Sequence, residues 1–206
     1  MAQPRPVLLL GDSLSAAYGI AREASWPELM RERLAALEPP RALVNASISG
    51  ETSAGGASRL PALLDEHAPA LLLLELGGND GLRGLPPARL RDNLQAMARA
   101  TAEQGGCTLL FAMRIPSNYG PRYTQAFDAV YTELAQAEDS VALLPFFLAE
   151  IATDPQWFLD DGIHPNEQAQ PLLLQAVWPR VSAAIEAQQC VDGRWLPPAE
   201  VDSEAS

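Results

Sequence analysis

With 206 residues, 48% of them apolar, the chain can enclose one hydrophobic core but not two of comfortable size. Its 14 basic residues, all arginine, face 26 acidic ones, and the formal charge of −12 repels polyanions, which sets nucleic-acid binding aside. Two cysteines and two histidines are too few for a disulfide scaffold or a zinc cluster, so no metal is expected, and no apolar run approaches the roughly 18 residues of a membrane span.

Residues 1–6 lead directly into the first apolar run, so the expectation is a cytoplasmic protein or one whose leader has been removed. That run, Val7 to Leu10, predicts a first strand. Trp26, Leu29, Met30, Leu34 and Leu37 then fall at helical spacing, with Ser25 as N-cap, Glu28 completing a capping box and Pro27 in the first turn. Ala42 to Val44 predicts the second strand. Leu60, Leu63 and Leu64 mark a second helix, with Pro61 expected in its first turn because a deeper proline would break it. Ala70 to Leu74 is the third strand, and Leu90, Leu94 and Met97 define a helix that should stop at Gly105-Gly106. Thr108 to Met113 follows as the fourth strand, then a helix through Tyr123, Phe127, Val130, Tyr131 and Leu134, and a fifth strand at Val141 to Leu144. The last helix carries Leu173, Val177, Val181 and Ile185, with a kink expected at Pro179. One domain is expected over residues 1–188, and 189–206, with Asp192, Glu200, Asp202, Glu204 and a proline pair, reads as an unstructured acidic tail.

None of the five apolar runs alternates polar with apolar, which predicts strands covered on both faces. Strand and helix alternate throughout, so the expected fold is a three-layer, doubly wound α/β domain of flavodoxin-like form. Its five-stranded parallel sheet should run in the order 2-1-3-4-5. Ligands bind such sheets beyond the carboxyl ends of the strands, so functional residues should follow strands.

After the first strand, Gly11-Asp12-Ser13-Leu14-Ser15 places a hydroxyl on a tight turn and makes Ser13 a candidate nucleophile. The pattern is not the G-x-S-x-G elbow, because Ser15 stands where the second glycine would be. After the second strand, Gly50 in Asn45-Ala46-Ser47-Ile48-Ser49-Gly50 lets a backbone N–H approach a ligand. After the third, Gly77-Gly78-Asn79-Asp80-Gly81 offers the Asn79 amide as a donor. Past the fifth, Asp160-Asp161-Gly162-Ile163-His164-Pro165 sets a carboxylate three residues before an imidazole, a spacing that lets Asp161 fix the tautomer of His164. Each piece alone has an ordinary explanation, such as a helix cap or a turn. Together they supply a nucleophile, a base, an orienting acid and oxyanion donors, the parts that acyl transfer requires. Asp12 and Asp80 read as capping groups, and a buried Glu75 would need a partner such as Arg114.

On these blocks the sequence resembles the SGNH hydrolases, also called the GDSL family, from residue 7 to about 185. Glu75-Leu76-Gly77-Gly78-Asn79-Asp80-Gly81-Leu82-Arg83-Gly84 and the Asp160–Pro165 segment are similar to the bacterial subgroup of thioesterases, arylesterases and lysophospholipases. The resemblance implies Ser13 as nucleophile, His164 as general base and Asp161 as its orienter. It implies an oxyanion hole made of the Ser13 and Gly50 backbone N–H groups and the Asn79 side chain, with no cofactor. It also implies a mobile lip over residues 82–87 and an opposite wall over 114–120, so Leu82, Leu85, Ile115, Pro116 and Tyr119 are expected to line the substrate site. Small acyl esters and thioesters are then the expected substrates of a monomer not inserted in a membrane: acyl-CoA thioesters, lysophospholipids, and aryl or short-chain esters. The alternatives are a carbohydrate O-acetylesterase with the same catalytic residues and a non-catalytic flavodoxin-like binding module, the latter disfavoured because Asp12 would repel a phosphate. Cys107 and Cys190 should lie near the amino-end face of the sheet, where a buried thiol and a tail thiol are preferred over a bond between them.

Overall fold

In the computed structural model, which describes residues 4–186 and 189–196, the five apolar runs form one parallel sheet. Its strands are β1 (Val7–Gly11), β2 (Leu43–Asn45), β3 (Leu71–Glu75), β4 (Cys107–Phe111) and β5 (Val141–Leu144), in the order β2-β1-β3-β4-β5. Every residue of β1, β3 and β4 is buried, which is why their sequences show no polar alternation. Burying each of the leucines at 8–10 and 72–74 contributes about 1.5–3 kcal/mol, so these strands anchor the core. The register sets Gly11 of β1 opposite Glu75 of β3, at the edge where the functional loops begin.

The helices are α1 (Trp26–Ala35), α2 (Ser53–His67), the short α3 (Gly78–Leu82), α4 (Pro87–Glu103), α5 (Pro121–Ala137) and α6 (Gln170–Glu186). α1 packs against α6, while α4 packs against both α2 and α5. Among the described residues no helix is long and apolar enough to cross a membrane.

Three local expectations need correction. Ser25 does precede α1, but its side chain makes no cap bond; its hydroxyl donates to Arg22 O, and Glu28 is drawn instead to Arg22 and Arg31. Pro61 lies inside α2, not in its first turn, because the helix already starts at Ser53. Thr52 caps that start by accepting from Gly55 N, and Asp80 accepts from both the backbone N–H (2.8 Å) and the hydroxyl (2.6 Å) of Ser53. A Cβ at Gly56 would lie 2.4 Å from Leu76 Cδ1 and 3.5 Å from Leu10 Cδ2, so this glycine lets the helix press onto the sheet.

The tail is the third correction. Residues 190–195 form an antiparallel hairpin of β6 (Cys190–Val191) and β7 (Arg194–Trp195). Trp195 fastens it by donating its backbone N–H to Asp139 O (2.9 Å) and its indole N–H to Thr108 O (3.1 Å). Cys107 and Cys190 are joined by a disulfide across a sequence separation of 83, not left as two thiols. A composition-based tail assignment counts acidic residues and overlooks these two anchors. The predicted boundary at residue 188 and the acidic stretch 197–206 lie outside the described residues.

Candidate active site

The turn after β1 is built around close approach. A Cβ at Gly11 would meet Glu75 Oε2 at 2.6 Å and Ser15 Oγ at 2.8 Å, so only glycine fits. Glu75 Oε2 accepts hydrogen bonds from Ser15 Oγ (2.7 Å) and Asp12 N (3.1 Å), and Asp12 Oδ1 accepts from Leu14 N (3.0 Å). Ser13 is thereby braced on both sides. Further out, Trp26 Nε1 donates to Leu14 O (2.9 Å) and Asn45 Nδ2 to Ser15 O (2.9 Å).

The Asp161–His164 segment is a tight loop, not a helical turn. Leu159 N donates to His164 O (2.8 Å), Gly162 takes a φ of +66°, and Phe158 bridges to Pro165. Asp161 Oδ1 accepts from the backbone N–H of Ile163 (2.9 Å) and His164 (3.0 Å), which leaves Oδ2 for the imidazole at 2.7 Å from Nδ1. A carboxylate can only accept, so Nδ1 of the neutral ring carries the hydrogen and Nε2 accepts from the Ser13 hydroxyl at 2.9 Å. A hydroxyl, an imidazole and a carboxylate from the two ends of the chain thus form one line of contacts. Gln170 ties the loops together: its Oε1 accepts from Trp26 N (3.0 Å), and its Nε2 donates to Pro165 O and Asn166 O.

Asn79 reaches the same place through α3. Gly77 precedes that helix at a φ of +118°, and a Cβ there would lie 2.1 Å from the Tyr131 hydroxyl. Asn79 Nδ2 donates one hydrogen to Asp12 Oδ2 (3.0 Å) and keeps a second. Neither the Ser13 nor the Gly50 backbone N–H has a protein acceptor among the described residues. Gly50 has a φ of +80°, and its carbonyl accepts from Arg83 Nη2 (3.0 Å).

The carboxyl groups divide by environment. Asp161 lies near the surface, and the His164 and Ile163 N–H groups with the imidazole hold it down to about 2. Burial pushes Asp12 up to about 6, only partly opposed by Leu14 N–H and the Asn79 amide. Glu75 is fully buried and raised well above the usual carboxyl range, first by burial and then by the Asp12 charge; its Oε1 has no hydrogen-bond partner among the described residues. The expected Arg114 partner is absent, because Arg114 is exposed with its guanidinium 5.9 Å from the Phe146 ring centre. Among the described residues no group of three or more His, Cys, Asp or Glu side chains is arranged to hold a metal ion.

Lip and wall meet through two tyrosines. Tyr119 donates its hydroxyl to Leu82 O (2.7 Å) and Tyr123 to Leu85 O (2.7 Å), while Ile115 packs under the lip where a Cβ on Gly81 would stand. Pro116 is exposed at the start of the turn 117–119. A groove of about 430 Å³ lies beside this wall, lined by Pro87, Tyr119, Pro121, Arg122 and Tyr123 among others; Tyr119 is the one expected substrate residue that borders it, and no catalytic candidate does. Sequence reasoning missed the Trp26–Gln170 clamp, the bracing by Glu75, and Tyr18, whose ring lies against His164. An aromatic in the loop after a nucleophile was the one available signal for Tyr18.

Residues 9–171 match the model of the GDSL-like lipase/acylhydrolase family. Esterase TesA of Pseudomonas aeruginosa is 49% identical over 178 residues, covering 86% of this chain and 88% of that protein. Thioesterase 1/protease 1/lysophospholipase L1 of Escherichia coli (strain K12) is 50% identical over 171 residues, covering 81% and 78%. A crystal structure of TesA superposes with a TM-score of 0.81 at 47% identity, covering 87% of this chain and 99% of that one.

Proposed function

Because the chain belongs to the GDSL-like lipase/acylhydrolase family, we propose that it is a serine hydrolase of carboxylic esters and acyl thioesters, working through an acyl-Ser13 intermediate. The observation that carries this is the run of contacts from Asp161 through His164 to Ser13. Ser13 Oγ attacks the acyl carbonyl as its proton passes to His164 Nε2, and Asp161 stabilises the imidazolium that forms. The oxygen of the tetrahedral intermediate takes hydrogen bonds from the free N–H groups of Ser13 and Gly50 and from the second Asn79 amide hydrogen. As the intermediate collapses, His164 returns the proton to the leaving thiol or alcohol. Water then attacks the acyl-enzyme by the same route, giving its proton to Nε2, and Ser13 recovers it as the acid leaves.

The names of the two relatives point to acyl thioesters, lysophospholipids and simple esters as substrates. Leu82, Leu85, Ile115, Pro116 and Tyr119 would form an apolar wall suited to an acyl or aryl group rather than a sugar. The charge of −12 opposes self-association, so the working form is a monomer. A fluorophosphonate probe should label Ser13 and leave Ser13→Ala unlabelled, and a substrate panel should show turnover of thioesters, lysophospholipids and aryl esters. Absence of label at Ser13 would reject the mechanism, and activity confined to acetylated sugars would reject the substrate class.

A further inference from the structure

Tyr18 is a large aromatic left 49% exposed, yet its ring lies on the imidazole of His164, with centroids 4.2 Å apart and planes tilted by 36°. Its hydroxyl makes no hydrogen bond to protein among the described residues, so whatever Tyr18 does at this site it does with the ring face. The loop that carries it is fastened at both ends, by Trp26 Nε1 on Leu14 O and by Ala21 N donating to Glu167 Oε1 (2.9 Å). Between these points Ala17 takes a φ of +57°, a left-handed conformation disfavoured for a residue with a Cβ, and Gly19 takes +73°. A Cβ on Gly19 would stand 2.5 Å from Leu159 Cδ1, so the nucleophile loop lies directly on the loop that bears the base.

We propose that Tyr18 is a positioning residue for the general base: its ring keeps the imidazole in the plane that aims Nε2 at Ser13 and favours the cation formed when the serine proton arrives. This rests on the hydrolase function above. The face of a tyrosine ring carries the negative part of its quadrupole, so it interacts better with imidazolium than with neutral imidazole, and the imidazolium forms in the transition state. The charged groups that already face the imidazole are Asp161 on its own loop and Asp12 on the nucleophile turn. Tyr18 adds a third, uncharged surface from the segment between them and excludes water from that side.

The test compares Tyr18→Phe, which keeps the ring, with Tyr18→Leu, which removes it, on a short-chain aryl ester across pH. Tyr18→Phe should keep kcat within about twofold. Tyr18→Leu should lower kcat by about two- to fivefold with KM little changed, and move the acid limb of kcat/KM to lower pH by a similar factor in proton concentration. If Tyr18→Leu changes only KM, Tyr18 is a substrate wall and the proposal is overturned; equal loss in Tyr18→Phe overturns it too. If Tyr18→Leu does not fold, Tyr18→Gln carries the same expectation. A proton NMR titration of the His164 ring reads the effect without turnover: its midpoint should fall in Tyr18→Leu and hold in Tyr18→Phe, and an unmoved midpoint in Tyr18→Leu overturns the proposal. A wild-type chain that hydrolyses no ester or thioester would instead sink the hydrolase function and leave the titration to decide the role of the ring.

Discussion

Asp12 should control catalysis through Asn79. The Asn79 amide has two hydrogens, and Asp12 Oδ2 holds one of them at 3.0 Å, which in the proposed mechanism leaves the other for the oxyanion. Asn79→Ala removes that donor and should lower kcat by about 10²–10³, or about 2.7–4 kcal/mol. Asp12→Asn is subtler, because Asp12 accepts from Leu14 N with one oxygen and from Asn79 with the other, and an asparagine must set an NH₂ against one of those donors. Set against Leu14 N, the NH₂ leaves the Asn79 bond intact but loosens the turn at Ser13; set against Asn79, it leaves that amide either in place with a hydrogen bond lost or turned over with a lone pair toward the oxyanion. A lost hydrogen bond costs about tenfold and a turned amide as much as Asn79→Ala, so kcat should fall between those limits with KM nearly unchanged. Steady-state kinetics of both single variants and the double variant on one aryl ester and one thioester provide the assay. Because Asp12 acts through Asn79, the double variant should be no slower than Asn79→Ala. Full activity in Asp12→Asn, or losses that multiply in the double variant, would refute the reasoning. Unfolding is not a competing explanation if thermal melts hold, since the substitution removes a buried acid whose ionisation is disfavoured.

Two further outcomes follow from buried groups. Glu75 has its proton affinity raised in the fold, so its contribution to stability is full below the ordinary glutamate range and is lost as pH rises toward its folded value. Glu75→Gln keeps an acceptor for Ser15 and Asp12 without that titration, so urea unfolding should show the variant gaining on wild type by up to about 1.4 kcal/mol per pH unit as pH rises above the ordinary glutamate range; parallel curves would contradict this. The disulfide spans a separation of 83, for which chain entropy gives about 4–5 kcal/mol and measured cases run about 2–4. Cys107→Ala/Cys190→Ala should lower the unfolding free energy by that order while leaving kcat/KM unchanged, because Cys107 begins β4 at the end opposite the catalytic loops.

The sheet was legible because burial on both faces leaves a simple mark: unbroken apolar runs such as Val7–Leu10 and Leu71–Leu74 have no other economical reading. That Ser13, Asn79 and the Asp161–His164 pair would come together was legible because each follows a strand of one parallel sheet, whose carboxyl ends share an edge. The start of α2 was not, since Gly55 and Gly56 oppose helix by propensity, and the fold uses them for close approach, Gly55 to the Glu51 carboxylate and Gly56 to Leu76. The Ser25–Glu28 box failed for a similar reason: local pattern gives Glu28 one partner, and the fold offers it two arginines. Trp26 read correctly as part of the apolar stripe of α1, but its indole bond to Leu14 O, 12 residues back, and its backbone bond to Gln170, 144 residues on, leave no mark in that spacing. Tyr18 and Glu75 likewise take their roles from neighbours that no spacing announces.

The acyl-Ser13 intermediate can be tested by giving the enzyme an ester and a thioester with the same acyl group in water containing methanol. If both pass through one acyl-enzyme, the initial ratio of methyl ester to free acid should be the same for the two substrates, whichever group left. Ratios that differ with the leaving group would mean that water attacks the substrate directly, and the nucleophilic role of Ser13 would be contradicted.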